Sequence, residues 1–150
     1  MKIRSIDHVG IIVNNLPVVQ AFFLDLGLEK IGVEKVEGEW MVRMKELHDV
    51  KEEVVTLEIA MLQAVDGEAN IELVKFHTAS DKNDIKYPLS NTLGIRHIAF
   101  AVEDIDAIVT KLKKKGAELM GEIQTFENAY KLCFVRGPEG IILELAENIK

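Results

Sequence analysis

Two segments of this chain follow one plan, and they limit what it can fold into more than any other feature. Ile6-Asp7-His8-Val9-Gly10-Ile11-Ile12-Val13-Asn14-Asn15-Leu16 returns as Ile95-Arg96-His97-Ile98-Ala99-Phe100-Ala101-Val102-Glu103-Asp104-Ile105. In each, a histidine opens an apolar strand, the strand runs to a valine (Val13, Val102), and a helix start follows. The two histidines stand more than half of the 150-residue chain apart. Self-similarity across such a distance predicts two copies of one supersecondary unit.

The intervening residues fit two copies. Asn14 and Asn15 are N-cap residues, and Pro17 suits a first helical turn. Val18, Val19, Phe22, Phe23 and Leu26 recur at helical spacing until Gly27 stops the helix. Leu28 to Val36 reads as a strand, Gly38 as a turn, and Trp40 to Met44 as a further strand. A charged segment runs from there through Glu53. Val54 to Gln63 and Asn70 to Phe76 read as strands joined at Asp66-Gly67, a hairpin signal. His77 to Gly94 is polar and irregular, and reads as a linker.

After the linker the plan repeats. Ile95 to Val102 is a strand, and Asp104 caps a helix with the stripe Ile105, Ile108, Val109 and Leu112. Lysines 111 and 113–115 fill its last turns, where cations complement the helix dipole, and Gly116 ends it. Ala117 to Gln124, Tyr130 to Arg136 and Ile141 to Ala146 follow as strands, the last two joined by the turn Gly137-Pro138-Glu139-Gly140. The expectation is an α+β fold of two tandem βαβββ modules forming a curved mixed sheet around a cleft. Residues 1–150 read as one domain: module 1 over about 1–77, a linker over about 78–94, and module 2 over about 95–150.

Composition excludes some functions. A net charge of −7 with no basic face argues against nucleic-acid binding. No apolar run reaches the roughly 18 residues of a membrane span. Met1-Lys2-Ile3-Arg4 lacks the apolar centre of a signal peptide. Cys133 is the one cysteine, so no intramolecular disulfide forms. The cytoplasm is the expected location.

The last strand of each module carries a glutamate among aliphatics: Ile71-Glu72-Leu73 and Leu143-Glu144-Leu145. A carboxylate buried in a core is costly, so each must face solvent, a partner or a metal. Strand alternation puts His97 on one face with Ala99 and Ala101, and His8 with Gly10. These small residues leave room for an ion and a ligand. His8, Glu72, His97 and Glu144 thus form a mixed N/O set, one pair per module. Such a set suits Zn²⁺, Ni²⁺, Co²⁺, Mn²⁺ or Fe²⁺. Taken singly, each histidine reads as a packed structural residue and each glutamate as an exposed one. The repeat is what favours the ligand reading.

With Asp7-His8-Val9-Gly10-Ile11-Ile12-Val13, Arg96-His97-Ile98-Ala99-Phe100 and Pro138-Glu139-Gly140-Ile141-Ile142-Leu143-Glu144-Leu145, the chain resembles the vicinal oxygen chelate superfamily. Glyoxalase I, methylmalonyl-CoA epimerase, extradiol dioxygenases and fosfomycin- and bleomycin-resistance proteins belong to it. The resemblance implies a divalent metal ion held by His8, Glu72, His97 and Glu144. A glutamate in both modules is closest to glyoxalase I-like lyases. The implied chemistry is proton abstraction next to a carbonyl, through an enediolate that the metal stabilises, with Glu144 as base and Glu72 as its counterpart. The implied substrate is a small molecule, either the hemithioacetal of a 2-oxoaldehyde and a thiol or an acyl thioester. The alternatives are a methylmalonyl-CoA epimerase-like isomerase and a non-catalytic small-molecule binding or resistance protein. The resemblance also implies a homodimer.

Other residues carry weaker signals. Glu58 lies in an apolar strand and is expected either near Glu72 or exposed. His77 follows Glu72 by an odd spacing and is expected on the other strand face. Trp40, Met41 and Met44 suit core packing or a pocket wall, and Tyr130 and Arg136 are open candidates for substrate contact. His48 lies in a charged run and reads as a surface residue. Cys133 reads as inert core.

Overall fold

The computed structural model describes residues 1–49, 54–78 and 87–150, with the backbone alone at Trp40, Val54, Val55 and Thr78. The end of the predicted charged segment (50–53) and much of the predicted linker (79–86) lie outside the described residues. The chain divides into two compact units, Met1–Asp84 and Ile85–Lys150.

The first unit runs β1 (His8–Ile12), α1 (Leu16–Leu26), β2 (Glu29–Val36), α2 (Gly38–Leu47), β3 (Val54–Gln63) and β4 (Asn70–Thr78). Its four strands form one sheet in the order β1-β4-β3-β2. The first and last strands pair in parallel and the others antiparallel. The second unit runs β5 (His97–Val102), α3 (Ile105–Lys114), β6 (Glu118–Phe126), β7 (Tyr130–Arg136), a 3₁₀ turn (Pro138–Gly140) and β8 (Ile142–Asn148). Its sheet has the same plan, β5-β8-β7-β6, with β5 and β8 parallel. The duplicated sequence is a duplicated topology, each βαβββ module closing its own four-stranded mixed sheet.

Local chemistry accounts for the helix ends. The Val18 amide donates to Asn15 Oδ1 (3.2 Å), and Gly27 closes α1 in the left-handed region at φ 117°. In α3 the Ala107 amide donates to Asp104 Oδ1 (3.2 Å). The Asp104 and Ile105 amides donate to the Glu147 carboxylate at 3.2 and 3.0 Å. A strand side chain thus satisfies donors that a helix start leaves open.

Each sheet buries one face under its helix. In the first unit that face carries Ala60, Leu62 and Leu73, all fully buried, and α1 contributes Val19 and Phe23. Lys75 shares this face and is only 3% exposed; its ammonium donates to Asn14 Oδ1 (3.0 Å) at the start of α1. In the second unit the covered face carries Leu143, Leu145, Val135 and Cys133 against Ile105, Val109 and Leu112 of α3. Cys133 is buried, as expected of an inert core thiol, and burial pushes its pKa up.

One element differs in kind from the sequence reading. The segment Trp40 to Met44 is helical, within α2, not a strand. The apolar run Trp40-Met41-Val42 is too short for periodicity to separate strand from helix. Its surroundings are rich in Glu, Lys, Arg, Met and Leu, which are good helix formers. Met41, Met44 and Lys45 are half-buried at helical spacing, and Arg43 pairs with Glu39 one turn back at 2.8 Å. This helix is an insertion in module 1 that leaves the sheet plan unchanged.

Candidate functional site

The parallel pairing of first and last strands decides where the candidate ligands fall. In the first unit Gly10 is the Cα partner of Glu72, and His8 that of Asn70. In the second Ala99 partners Glu144, and His97 partners Ile142. Each glutamate is therefore one rung beyond its histidine on the same sheet face, beside a small residue. Across this diagonal His8 Nε2 stands 3.6 Å from Glu72 Oε2, and His97 Nε2 stands 3.3 Å from Glu144 Oε2. A Cβ built on Gly10 would meet nothing within 4 Å. Both glutamate side chains are half-buried, at 18% and 22% exposure, and both histidines are more open. That is enough desolvation to strengthen electrostatics at each carboxylate without closing it off.

The two half-sites differ in what holds the imidazole. His8 Nδ1 donates to Asp7 Oδ2 at 2.7 Å, which leaves Nε2 to face Glu72. This hydrogen bond raises the pKa of His8; burial works against the rise, and the negative charges of Glu72 and Asp7 add to it. His97 instead meets the ring of Phe134 edge to face, with centroids 5.1 Å apart. Phe134 is the Cα partner of Glu144 on β7, so it walls the same patch.

Neighbouring residues sort by face. Met61 is the partner of Glu72 and lies beside it. Glu58 is three residues from Met61 and so lies on the opposite, helix-covered face. There its Oε2 pairs with His77 Nε2 at 3.2 Å. Glu58 is therefore not a neighbour of the Glu72 carboxylate, and His77 is on the expected far face. Helix α2 lies over the Glu72 face: its C-cap His48 packs edge to face on Phe76, and Met44 with Ile59, Glu34 and Val36 lines a cavity of about 600 Å³. Met44 thus serves as pocket wall. Arg136 shares the Glu144 face as the partner of Ile142, and its Nη1 is buried without a hydrogen-bond partner among the described residues.

Sequence reasoning passed over Asp7, Phe134 and Arg96. Asp7 was legible from its adjacency to His8. Phe134 needed the β7–β8 register, which no local pattern states.

Donor chemistry fits a divalent ion. Each half-site offers one imidazole nitrogen and one carboxylate oxygen on one face, and Asp7 holds His8 in the tautomer that frees Nε2, as metal-binding histidines require. Within either unit, among the described residues, no three His, Cys, Asp or Glu side chains form a complete metal cluster. Among those residues no helix is long and apolar enough to cross a membrane.

Comparison with known proteins agrees with this architecture. A glyoxalase family protein from Bacillus cereus, known as a crystal structure, is 41% identical and superposes with a TM-score of 0.87 over 100% of this chain and 97% of that one. The Bacillus subtilis (strain 168) protein YwbC is 29% identical over 143 residues, covering 94% of this chain and 95% of that protein. The fosfomycin resistance protein FosX from Listeria monocytogenes shares the fold at 15% identity, with a TM-score of 0.66 over 98% of this chain and 95% of that one. The family described as the Glyoxalase/Bleomycin resistance protein/Dioxygenase superfamily matches residues 7–134, which span both half-sites' histidines. The chain belongs to that superfamily.

Proposed function

We propose that this protein is a metal-dependent lyase or isomerase of the glyoxalase I type. The observation that carries the reading is the matched diagonal: a histidine Nε2 faces a glutamate oxygen in each module, at 3.6 and 3.3 Å, beside Gly10 or Ala99. His8, Glu72, His97 and Glu144 would hold the ion. When bound, a divalent ion supplies Lewis-acid stabilisation of negative charge on substrate oxygens.

The chain's own residues do the rest. The Glu144 carboxylate accepts a proton from the carbon next to the substrate carbonyl and returns it to the neighbouring carbon; Glu72 is its counterpart. Half-burial keeps each carboxylate on the open face of its sheet and limits the water that competes for it. The small residues Gly10 and Ala99, beside Glu72 and Glu144, admit a substrate to the carboxylates. Phe134 holds the imidazole of His97 against rotation and keeps water from one side of it.

The test uses purified protein loaded in turn with Zn²⁺, Ni²⁺, Co²⁺, Mn²⁺ and Fe²⁺. Methylglyoxal plus glutathione or another small thiol should yield thioester absorbance. Flat traces with every metal and thiol reject the reading. An epimerase-like isomerase uses the same proton transfer on an acyl thioester, and deuterium uptake at the alpha carbon of a methylmalonyl thioester distinguishes it. A binding protein without turnover is the remaining alternative. The cavity of about 600 Å³ under α2 favours it, being of the size that small ligands occupy. That alternative predicts tight binding with no product.

A further inference from the structure

The duplicated half-sites differ most at the residue before each histidine. Module 1 has Asp7 there, and module 2 has Arg96. Asp7 is engaged with His8. Arg96 is half-buried, and its Nε is buried with no hydrogen-bond partner among the described residues. A buried guanidinium N–H without an acceptor is costly, and such groups call for a partner.

The guanidinium lies beside Gly94. Gly94 has φ +112°, a conformation that calls for glycine, and a Cβ there would come within 2.9 Å of Arg96 Nη2, which would have to shift. The loop before β5 and the first residue of that strand line an open cavity of about 360 Å³. Ser90, Asn91 and Thr92 contribute hydroxyl and amide donors, Arg96 its guanidinium, and His97 the edge of the half-site. Among the described residues no carboxylate lines it, in a chain whose net charge is −7. One cation, three neutral donors and no competing acid describe a site for a planar anion.

We infer that this loop cavity binds a carboxylate carried by the substrate, with Arg96 as its anchor. A carboxylate held there places the adjoining part of the substrate at His97 and Glu144. The inference rests on the proposed function only in taking that face as the reacting one; anion capture itself needs no metal. The carboxylate has two chemical sources, the thiol carrier of a hemithioacetal or the acyl group of a malonyl-type thioester. Arg96 is then a specificity-determining residue: it selects acids over neutral analogues.

The experiment uses metal-free full-length protein labelled with ¹⁵N. The arginine Nε–Hε signals are followed by NMR during titration with glutathione, with methylmalonate, and with the neutral glutathione diethyl ester and methylmalonamide. The Arg96 signal should shift with at least one acid and with neither neutral analogue, and the acid that binds identifies the source. Arg96→Gln should weaken that binding about tenfold or more, the usual consequence of losing a charge-assisted hydrogen bond. Lys113→Gln, which removes an equal charge from an exposed site on α3, should leave it unchanged. Gly94→Ala keeps the charge but displaces the guanidinium, and should also weaken binding. Arg96→Lys, which retains a charge without the planar fork, stands in if Arg96→Gln does not fold and should bind more weakly than the parent. The inference is overturned if neither acid shifts the signal, if the neutral analogues bind as well as the acids, or if Arg96→Gln and Lys113→Gln act alike. Turnover by metal-loaded protein is a separate measurement, so either reading can fail while the other stands.

Discussion

His97 and Glu144 are not backbone partners, yet their Nε2 and Oε2 atoms stand 3.3 Å apart. The register pairs His97 with Ile142 and Glu144 with Ala99, so the contact runs diagonally across two parallel strands. His8 and Glu72 repeat that diagonal at 3.6 Å, with Gly10 in place of Ala99. Diagonal neighbours in a sheet are within reach of long side chains, and a small residue beside the carboxylate keeps the path open.

The diagonal makes the position beside Glu72 permissive for one methyl group. Gly10 is in extended backbone, and a Cβ there meets nothing within 4 Å. Gly10→Ala should stabilise the protein by about 0.4–1 kcal/mol through the unfolded chain's lost freedom. Urea denaturation of the two proteins checks this. Gly10→Leu should instead cover the Glu72 carboxylate and lower metal uptake, measured by elemental analysis.

If the four candidate ligands act together, removing one changes metal content and removing the base changes rate. His97→Ala and His8→Ala should each leave purified protein with less bound metal after reconstitution. Glu144→Gln should lower kcat by roughly 10²–10⁴, the usual contribution of a positioned base. A Glu144→Gln enzyme with unchanged kcat assigns the base elsewhere, Glu72 first.

Glu147 ties the last strand to the start of α3 by accepting from two backbone amides. Glu147→Ala should cost about 1–2 kcal/mol, in the range of a lost helix cap. Asp104→Ala removes the neighbouring cap at Ala107 and should cost a similar amount. The two residues serve one helix terminus, so the double variant should depart from additivity, as a double-mutant cycle in denaturant would show.

Cys133 is 2% exposed, and burial holds its thiol above the ordinary pKa. The unfolded chain therefore releases this proton first as pH rises. The contribution to stability is full below the ordinary thiol pKa and is lost as pH climbs from there through the higher folded-state value. Stability should decline with pH over that alkaline range, and less so in Cys133→Ala after allowance for its own packing loss. Thiol reagents should label Cys133 slowly until denaturant unfolds the second unit.

Much of this fold was legible because its signals are local. Asn15, Gly27, Asp104 and Gly116 mark helix ends through their own backbone chemistry. The alternation of His97, Ala99 and Ala101 states which side chains share a face. Helix α2 was not legible as such, because Trp40-Met41-Val42 suits either period. The place of Glu58 was left open between two alternatives for a different reason. Its face depends on the pairing of Met61 with Glu72, which is set by contacts between distant segments and not by the residues around Glu58.

The sequence by itself determined the duplication, the order of strands and helices apart from α2, and the residue types brought to each half-site. Periodicity, caps and turn residues act over a few positions, so a linear reading captures them. The tertiary structure alone decided the diagonal between histidine and glutamate, the packing of Phe134 on His97, and the burial of the Arg96 Nε. These depend on strand register and on the course of the loop through Gly94 into β5. Both are settled by the sum of many long-range contacts, none of which is visible at any single position.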